Sequence, residues 1–192
     1  MRRFDGVIFD MDGTLIEPLL DFRALRAELG IAADAGILEA LDAMAPDEAG
    51  PRRRKLIEYE LASARQARLH DGAAELLADI RRADMRTALL TRNAAEAMRI
   101  VLDRFDLSFD LAWSREDGPI KPEPDGVLRA CRQLGIDPGR CACVGDFHYD
   151  LVAANAAGAV SVLLASNGPC DFADLADHVI AELSELRGLL EL

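Results

Sequence analysis

The chain has 192 residues, 51% of them hydrophobic and 29% charged: room for one full domain with a small accessory one, and too apolar for intrinsic disorder. Its formal net charge of −12 repels nucleic acid and anionic lipid unless a local basic patch overrides it. No apolar run approaches the ~18 residues of a membrane span, and the N-terminus meets Asp5 before any apolar stretch of signal-peptide length, so the expectation is a cytoplasmic protein.

Val7-Ile8-Phe9 is the first strand-like run, and it leads directly into Asp10-Met11-Asp12-Gly13-Thr14. Two carboxylates two residues apart repel each other unless a cation or a proton intervenes. Hard oxygen ligands at the end of a strand suit Mg²⁺, which takes few protein carboxylates and keeps several waters. Gly13 permits a tight backbone turn close to a ligand. The bland alternative is an Asp-rich turn with a helix cap.

From about Glu17 to His70 no strand-like run occurs, and the pattern is helical. Phe22, Leu25 and Leu29 form one apolar stripe, Ile37, Leu38, Leu41 and Met44 a second, and Ile57, Leu61 and Ala64 a third. Pro18, Gly30, Gly36, Pro46, Gly50 and Pro51 punctuate them. Residues 17–70 therefore read as a small helical insertion, with the main domain built from 1–16 and 71–192. Arg52, Arg53, Arg54, Lys55, Arg65 and Arg68 make residues 51–70 basic in an acidic chain. That segment is either a solvated helix face or a positive surface turned to an anionic substrate. With only Tyr59 among the arginines, tight nucleic-acid binding is not expected.

The core resumes at Asp71-Gly72 with a helix to Ala83, whose apolar face carries Leu76, Leu77 and Ile80. Thr87 to Leu90 reads as a strand that leads into Thr91-Arg92-Asn93, where a hydroxyl and exposed amides at a helix start can hold an anion. Thr91 or Asn93 could equally cap the helix that follows, Ala94 to Phe105. Phe109 to Trp113 is a third strand, and Pro119-Ile120-Lys121-Pro122-Glu123-Pro124 follows it. Only two of the 22 basic residues are lysines, and Lys121 sits among prolines that limit backbone freedom. This suggests a site that needs a compact point charge; a solvated loop lysine is the alternative.

Val127 to Leu134 reads as a helix, Cys141 to Val144 as a strand, and Gly145-Asp146 follows with Asp150 four residues on. Asp146 and Asp150 are either two further oxygen ligands, or a ligand and a partner for the lysine, or helix caps. Leu151 to Ala157 and Val160 to Leu164 complete the alternation. Strands separated by helices of this length imply a parallel α/β sheet covered on both faces. The four cysteines contain no C-x-x-C pair and no zinc spacing, so buried free thiols in a reducing compartment are expected.

Taken together, D-x-D-G-T-L at Asp10, the Thr after the second strand, K-P-x-P-D at Lys121 and G-D-x-x-x-D at Asp146 occur in the order of the haloacid dehalogenase-like hydrolases. The chain resembles the phosphoglycolate-phosphatase-like branch of that superfamily over essentially its whole length. The resemblance implies a Rossmann-like parallel sheet with helices on both faces, a helical cap inserted after the first strand, and Mg²⁺-dependent phosphoryl transfer through an aspartyl-phosphate. By it, Asp10 would be the nucleophile and Asp12 the general acid and then base. Asp146 would bind Mg²⁺ with the Asp10 carboxylate and the Asp12 main-chain carbonyl, and Asp150 would support the metal's waters or the lysine. Thr91 and Lys121 would hold the phosphoryl oxygens, with Arg92 and Asn93 beside them at the phosphate-binding site. His148, beside Asp146, could also face the ligand.

Phe147 stands where that branch often has a small polar residue, and the insertion is shorter than its usual cap, so no cap residue is carried over. The expected function is hydrolysis of a small phosphorylated metabolite. A phosphomutase using the same residues and a non-catalytic phosphoaspartate signalling domain are the alternatives. A dehalogenase is disfavoured, because it would leave Asp12 without a role.

Overall fold

In a computed structural model of the chain, residues 3–19, 21–166, 168 and 170–192 are described. Six parallel strands form one sheet in the order β3-β2-β1-β4-β5-β6: β1 (Gly6–Phe9), β2 (Arg86–Leu90), β3 (Leu111–Trp113), β4 (Cys141–Gly145), β5 (Val160–Leu164) and β6 (His178–Ile180). The side-chain period of two sorts each strand between two buried faces. Val7 and Phe9 of β1 join Leu89, Val144 and Val162 in one core cluster, whereas Ile8 joins Ala88, Leu90, Cys141 and Cys143 in the other. Helices α4 (Ala73–Arg82), α5 (Ala95–Arg104) and α8 (Leu186–Leu190) cover the first face, and α6 (Asp125–Leu134) and α7 (His148–Ala157) the second. The five strands read from the sequence are β1 to β5, joined by four of the sheet's five pairings. The edge strand β6 was not anticipated, since three residues with a half-exposed Val179 are too few to display a period.

The insertion after β1 is all helical: α1 (Phe22–Leu29), α2 (Ile37–Ala43) and α3 (Pro46–Gln66). Leu25, Leu29, Ile37, Leu38, Leu41 and Leu56 give it a small core of its own. Its two ends run side by side, with the Glu17 amide donating to the Arg68 carbonyl and the His70 amide to the Leu15 carbonyl, each at 2.9 Å. Two details depart from the sequence pattern. Pro51 lies inside α3 instead of ending it; Pro46 occupies the first turn, where a missing N–H costs nothing, and Pro51 forfeits a single bond on the exposed side. The buried stripe of α3 is Leu56, Glu60, Ser63 and Ala64, so Ile57 and Leu61 are only half-buried. Phe22, placed in an apolar stripe by its spacing, is 44% exposed.

The strand order runs outward in opposite directions from β1 and β4. Ligands of open α/β sheets bind at the carboxyl ends of strands beside such a reversal. The cap closes over that end.

Candidate active site

Asp10, Thr91 and Asp146 each sit where a strand stops. The Asp10 amide donates to the Val144 carbonyl at 2.9 Å, extending the pairing of β1 with β4 by one residue, and the Thr91 amide does the same to the Trp113 carbonyl at 3.0 Å. Both tips are thus pinned by a neighbouring strand. After Asp10 the chain turns sharply: the Leu15 amide donates to the Met11 carbonyl at 2.9 Å and the Gly13 amide to the Ile16 carbonyl at 2.8 Å. Gly13 has φ +78°, and a Cβ there would collide with the Asp146 carboxylate. Only glycine lets the two motifs come this close.

Lys121 reaches in from the loop after β3. Its Nζ lies 2.5 Å from Asp10 Oδ1 and 2.6 Å from Asp150 Oδ1, and its side chain is 9% exposed. Asp150 serves two partners: Oδ1 accepts from Lys121, and Oδ2 accepts from the Phe147 amide at 3.2 Å. The second bond places Asp150 in the first turn of α7 and starts that helix at His148, three residues before the expected Leu151. Cap and site residue are here the same carboxylate. Thr14 Oγ1 lies 3.5 Å from Asp146 Oδ1. Carboxylate oxygens of Asp10, Asp146 and Asp150 all lie within 4.8 Å of one another.

Burial and crowding hold Asp10, Asp12 and Asp146 above the ordinary carboxylate range. Asp12 is pushed up to about 7, by burial first and then by the Asp10 charge, against the pull of Asn93, whose amide donates to Asp12 Oδ2 at 2.5 Å. Asp146 is raised by burial and by the Asp10 and Asp150 charges. Asp10 is raised by burial, with Lys121 opposing. For Lys121, burial acts downward, but Asp10 and Asp150 outweigh it and raise the ammonium's pKa. A set of hard oxygen donors that repel one another, with one ammonium on one side only, fits a small divalent cation.

Around Thr91 the geometry is less direct. The Thr91 hydroxyl accepts from the Asn93 amide at 3.2 Å, and both residues are buried. Neither caps α5. Its first amides are met by carboxylates from elsewhere, Ala94 by Glu60 Oε2 at 3.1 Å and Ala95 by Glu116 Oε2 at 2.6 Å. Arg92 is held away from Asp10: Nη1 donates to the Lys121 carbonyl at 2.6 Å, Nη2 to Glu39 of α2 at 2.6 Å, and the guanidinium lies 4.1 Å over the Tyr149 ring. His148 packs in a ring cluster, 4.3 Å from Phe147 and 4.2 Å from Tyr149 between ring centroids.

Sequence reasoning missed Glu60. This cap carboxylate is almost fully buried, pairs with Arg115 at 2.5 Å and ties α3 to the core. Burial raises its pKa, and Arg115 offsets part of that rise. The usable signal was its i, i+4 spacing between Leu56 and Ala64, which places a carboxylate in a buried stripe. The basic segment on α3 largely serves the cap itself. Arg52 Nε donates to the Leu29 carbonyl at 2.9 Å, Arg53 pairs with Asp42, and Lys55 with Glu28. Cys131, Cys141 and Cys143 are buried free thiols, and Cys170 is half-buried and free. No helix among the described residues is long and apolar enough to cross a membrane.

A family model for haloacid dehalogenase-like hydrolases matches residues 4–158. A haloacid dehalogenase-like hydrolase domain-containing protein of Arabidopsis thaliana is 34% identical, over 98% of this chain and 84% of that protein. An N-acetylmuramic acid 6-phosphate phosphatase of Pseudomonas aeruginosa is 31% identical, over 81% of this chain and 79% of its own length. Among solved structures, a hydrolase from Pseudomonas syringae superposes with a TM-score of 0.80 at 24% identity, covering 98% of this chain and 99% of that one.

Proposed function

Because the chain belongs to the haloacid dehalogenase-like hydrolases, we propose that it hydrolyses the phosphate monoester of a small metabolite in two steps through Asp10. The observation that carries this reading is the convergence of Asp10, Asp146 and Asp150 with the buried Lys121 ammonium at the reversal in strand order.

Asp10 Oδ attacks phosphorus and the alcohol leaves, so one displacement becomes two easier ones. Asp12 holds a proton near neutral pH, when most carboxylates do not, and donates it to the departing oxygen. The resulting Asp12 carboxylate then takes a proton from the water that hydrolyses the aspartyl-phosphate. Asn93 fixes the Asp12 side chain during both transfers. Lys121, held between two carboxylates, offers a preorganised positive charge to the phosphoryl oxygens, and Thr91 lies beside it at the tip of β2. Asp10, Asp146 and the Asp12 main-chain carbonyl would hold Mg²⁺, with Asp150 behind them. When bound, the ion neutralises charge between nucleophile and phosphate. Arg92 and Glu60 do not touch phosphate in this reading; they fasten the cap to the loops that carry Thr91 and Lys121.

The test is steady turnover of p-nitrophenyl phosphate with Mg²⁺, abolished by EDTA and by Asp10→Asn, since a carboxamide is a poor nucleophile. Undiminished turnover by Asp10→Asn would remove Asp10 from its role. A signalling domain would show no steady turnover at all.

A further inference from the structure

The relatives' names do not choose a substrate for this chain, but the cavity between cap and core constrains one. It has a volume of about 310 Å³ and is lined by the acidic cluster and Lys121. Its walls also carry Phe22, Ile37, Leu38 and Leu56 from the cap and Phe147 and Tyr149 from the core. Phe22 and Phe147 are 44% and 41% exposed, which leaves an aromatic ring open to solvent on the cap and another on the core. Two such rings beside a catalytic centre are apolar surface without an occupant.

The polar atoms of these walls are mostly engaged already. Glu60 gives one oxygen to Arg115 and the other to the Ala94 amide. Arg92 gives its terminal nitrogens to Glu39 and the Lys121 carbonyl, and the Asn93 amide goes to Asp12. Arg26 donates Nε to the Ala35 carbonyl at 2.8 Å and Nη1 to the Phe22 carbonyl at 3.2 Å. Among the described residues, what remains at these walls is Arg26 Nη2, Arg92 Nε, Asn93 Oδ1, the Thr91 hydroxyl hydrogen and the Tyr149 hydroxyl. With Thr91 kept for the phosphoryl oxygens, these satisfy a few polar atoms, fewer than the ring of hydroxyls of an unmodified sugar brings.

We propose that this cavity selects phosphate monoesters whose alcohol has an apolar, ring-bearing body with at most a few polar atoms, in preference to esters of polyhydroxylated sugars. The inference rests on the phosphatase reading and names the substrate class of that same site. An apolar body gains contact with Phe22 and Phe147, whereas a sugar buries hydroxyls without partners, roughly a tenfold loss or more for each.

The experiment compares kcat/KM for 2-phenylethyl phosphate and glucose 6-phosphate, with p-nitrophenyl phosphate as control. Both test substrates are primary alkyl esters, so leaving-group acidity does not do the sorting. The expected result favours 2-phenylethyl phosphate by about 10-fold or more. Phe22→Ser, at an exposed position outside the acidic cluster, should raise KM for that ester about 5–10-fold and narrow its kcat/KM advantage over glucose 6-phosphate by a similar factor. Equal or better use of glucose 6-phosphate overturns the inference and leaves the phosphatase reading standing. A preference that Phe22→Ser does not move overturns the assignment of the wall. No turnover of any ester, the control included, removes the phosphatase reading itself.

Discussion

Replacing Lys121 by methionine keeps much of the side chain's length and removes its charge. In the folded protein, Nζ lies 2.5 Å from one carboxylate and 2.6 Å from another with only 9% of the side chain exposed, so water cannot take its place. Asp10, Asp146 and Asp150 would then share a space under 5 Å across with no cation. Removing one member of a buried ion pair costs about 3–5 kcal/mol, because the remaining charge is left uncompensated. For a chain of this size each kcal/mol moves Tm by about 2–4 °C, so the metal-free variant should melt roughly 6–20 °C below the parent at pH 8. Asp10 and Asp146 already bind protons more tightly folded than unfolded, and losing the ammonium strengthens that preference. Lowering the pH therefore relieves the variant, and its deficit should be smaller at pH 6 than at pH 8. Thermal melts in EDTA at both pH values measure this directly. Adding Asp10→Asn and Asp150→Asn to the Lys121→Met protein should return Tm toward the parent's. A loss under about 2 °C at pH 8, or equal losses at the two pH values, would refute the reasoning.

Four other outcomes are expected. The raised Asp10, Asp12 and Asp146 values mean that their contribution to metal-free stability is fully present below pH ~4 and is lost as pH rises through the folded values, about 7 for Asp12. Because Mg²⁺ needs the deprotonated carboxylates, the Tm gain on adding it should be larger at pH 8 than at pH 6, as read by melts with and without the ion. Asp12→Asn should lower kcat/KM, which reports the alcohol-releasing first step, by roughly 10²–10⁴-fold for alkyl phosphates and far less for p-nitrophenyl phosphate, since nitrophenolate needs no proton to leave; equal losses of kcat/KM on both would count against a general acid. Glu60→Ala should destabilise by about 3–5 kcal/mol in chemical denaturation, because Arg115 loses its buried partner and the Ala94 amide its acceptor. By contrast, Glu39→Gln, whose pair with Arg92 is half-exposed, should cost no more than about 1 kcal/mol.

The site was legible where chemistry is local. Asp10 and Asp146 stand immediately after a strand, Lys121 among prolines and Asp150 four residues beyond Asp146, and their side-chain types point to oxygen ligation and a fixed charge. Arg92 and Glu60 were not legible in that way. Arg92 follows Thr91 in the chain and so reads as a phosphate ligand, but its direction is set by the Lys121 carbonyl, Glu39 and Tyr149, which lie 29, 53 and 57 residues away. Glu60 looks like one more exposed acid on a charged helix until α3 packs against α5 and buries it. The basic run Arg52–Lys55 carries the same lesson, since three of those four side chains bind acceptors on the cap's other helices.

The alternation of apolar runs with helical stripes, the helical insertion after the first strand and the chemistry of the motif residues were written in the one-dimensional order of the chain, because period and strand-end position are properties of neighbours. Which acids come together, which carbonyl and carboxylate Arg92 meets, and which faces of the cap stay apolar depend on approaches between segments tens of residues apart. Those approaches are fixed by packing, by the glycine at position 13 that lets Asp146 draw near, and by the small cap core that holds Phe22 over the cleft.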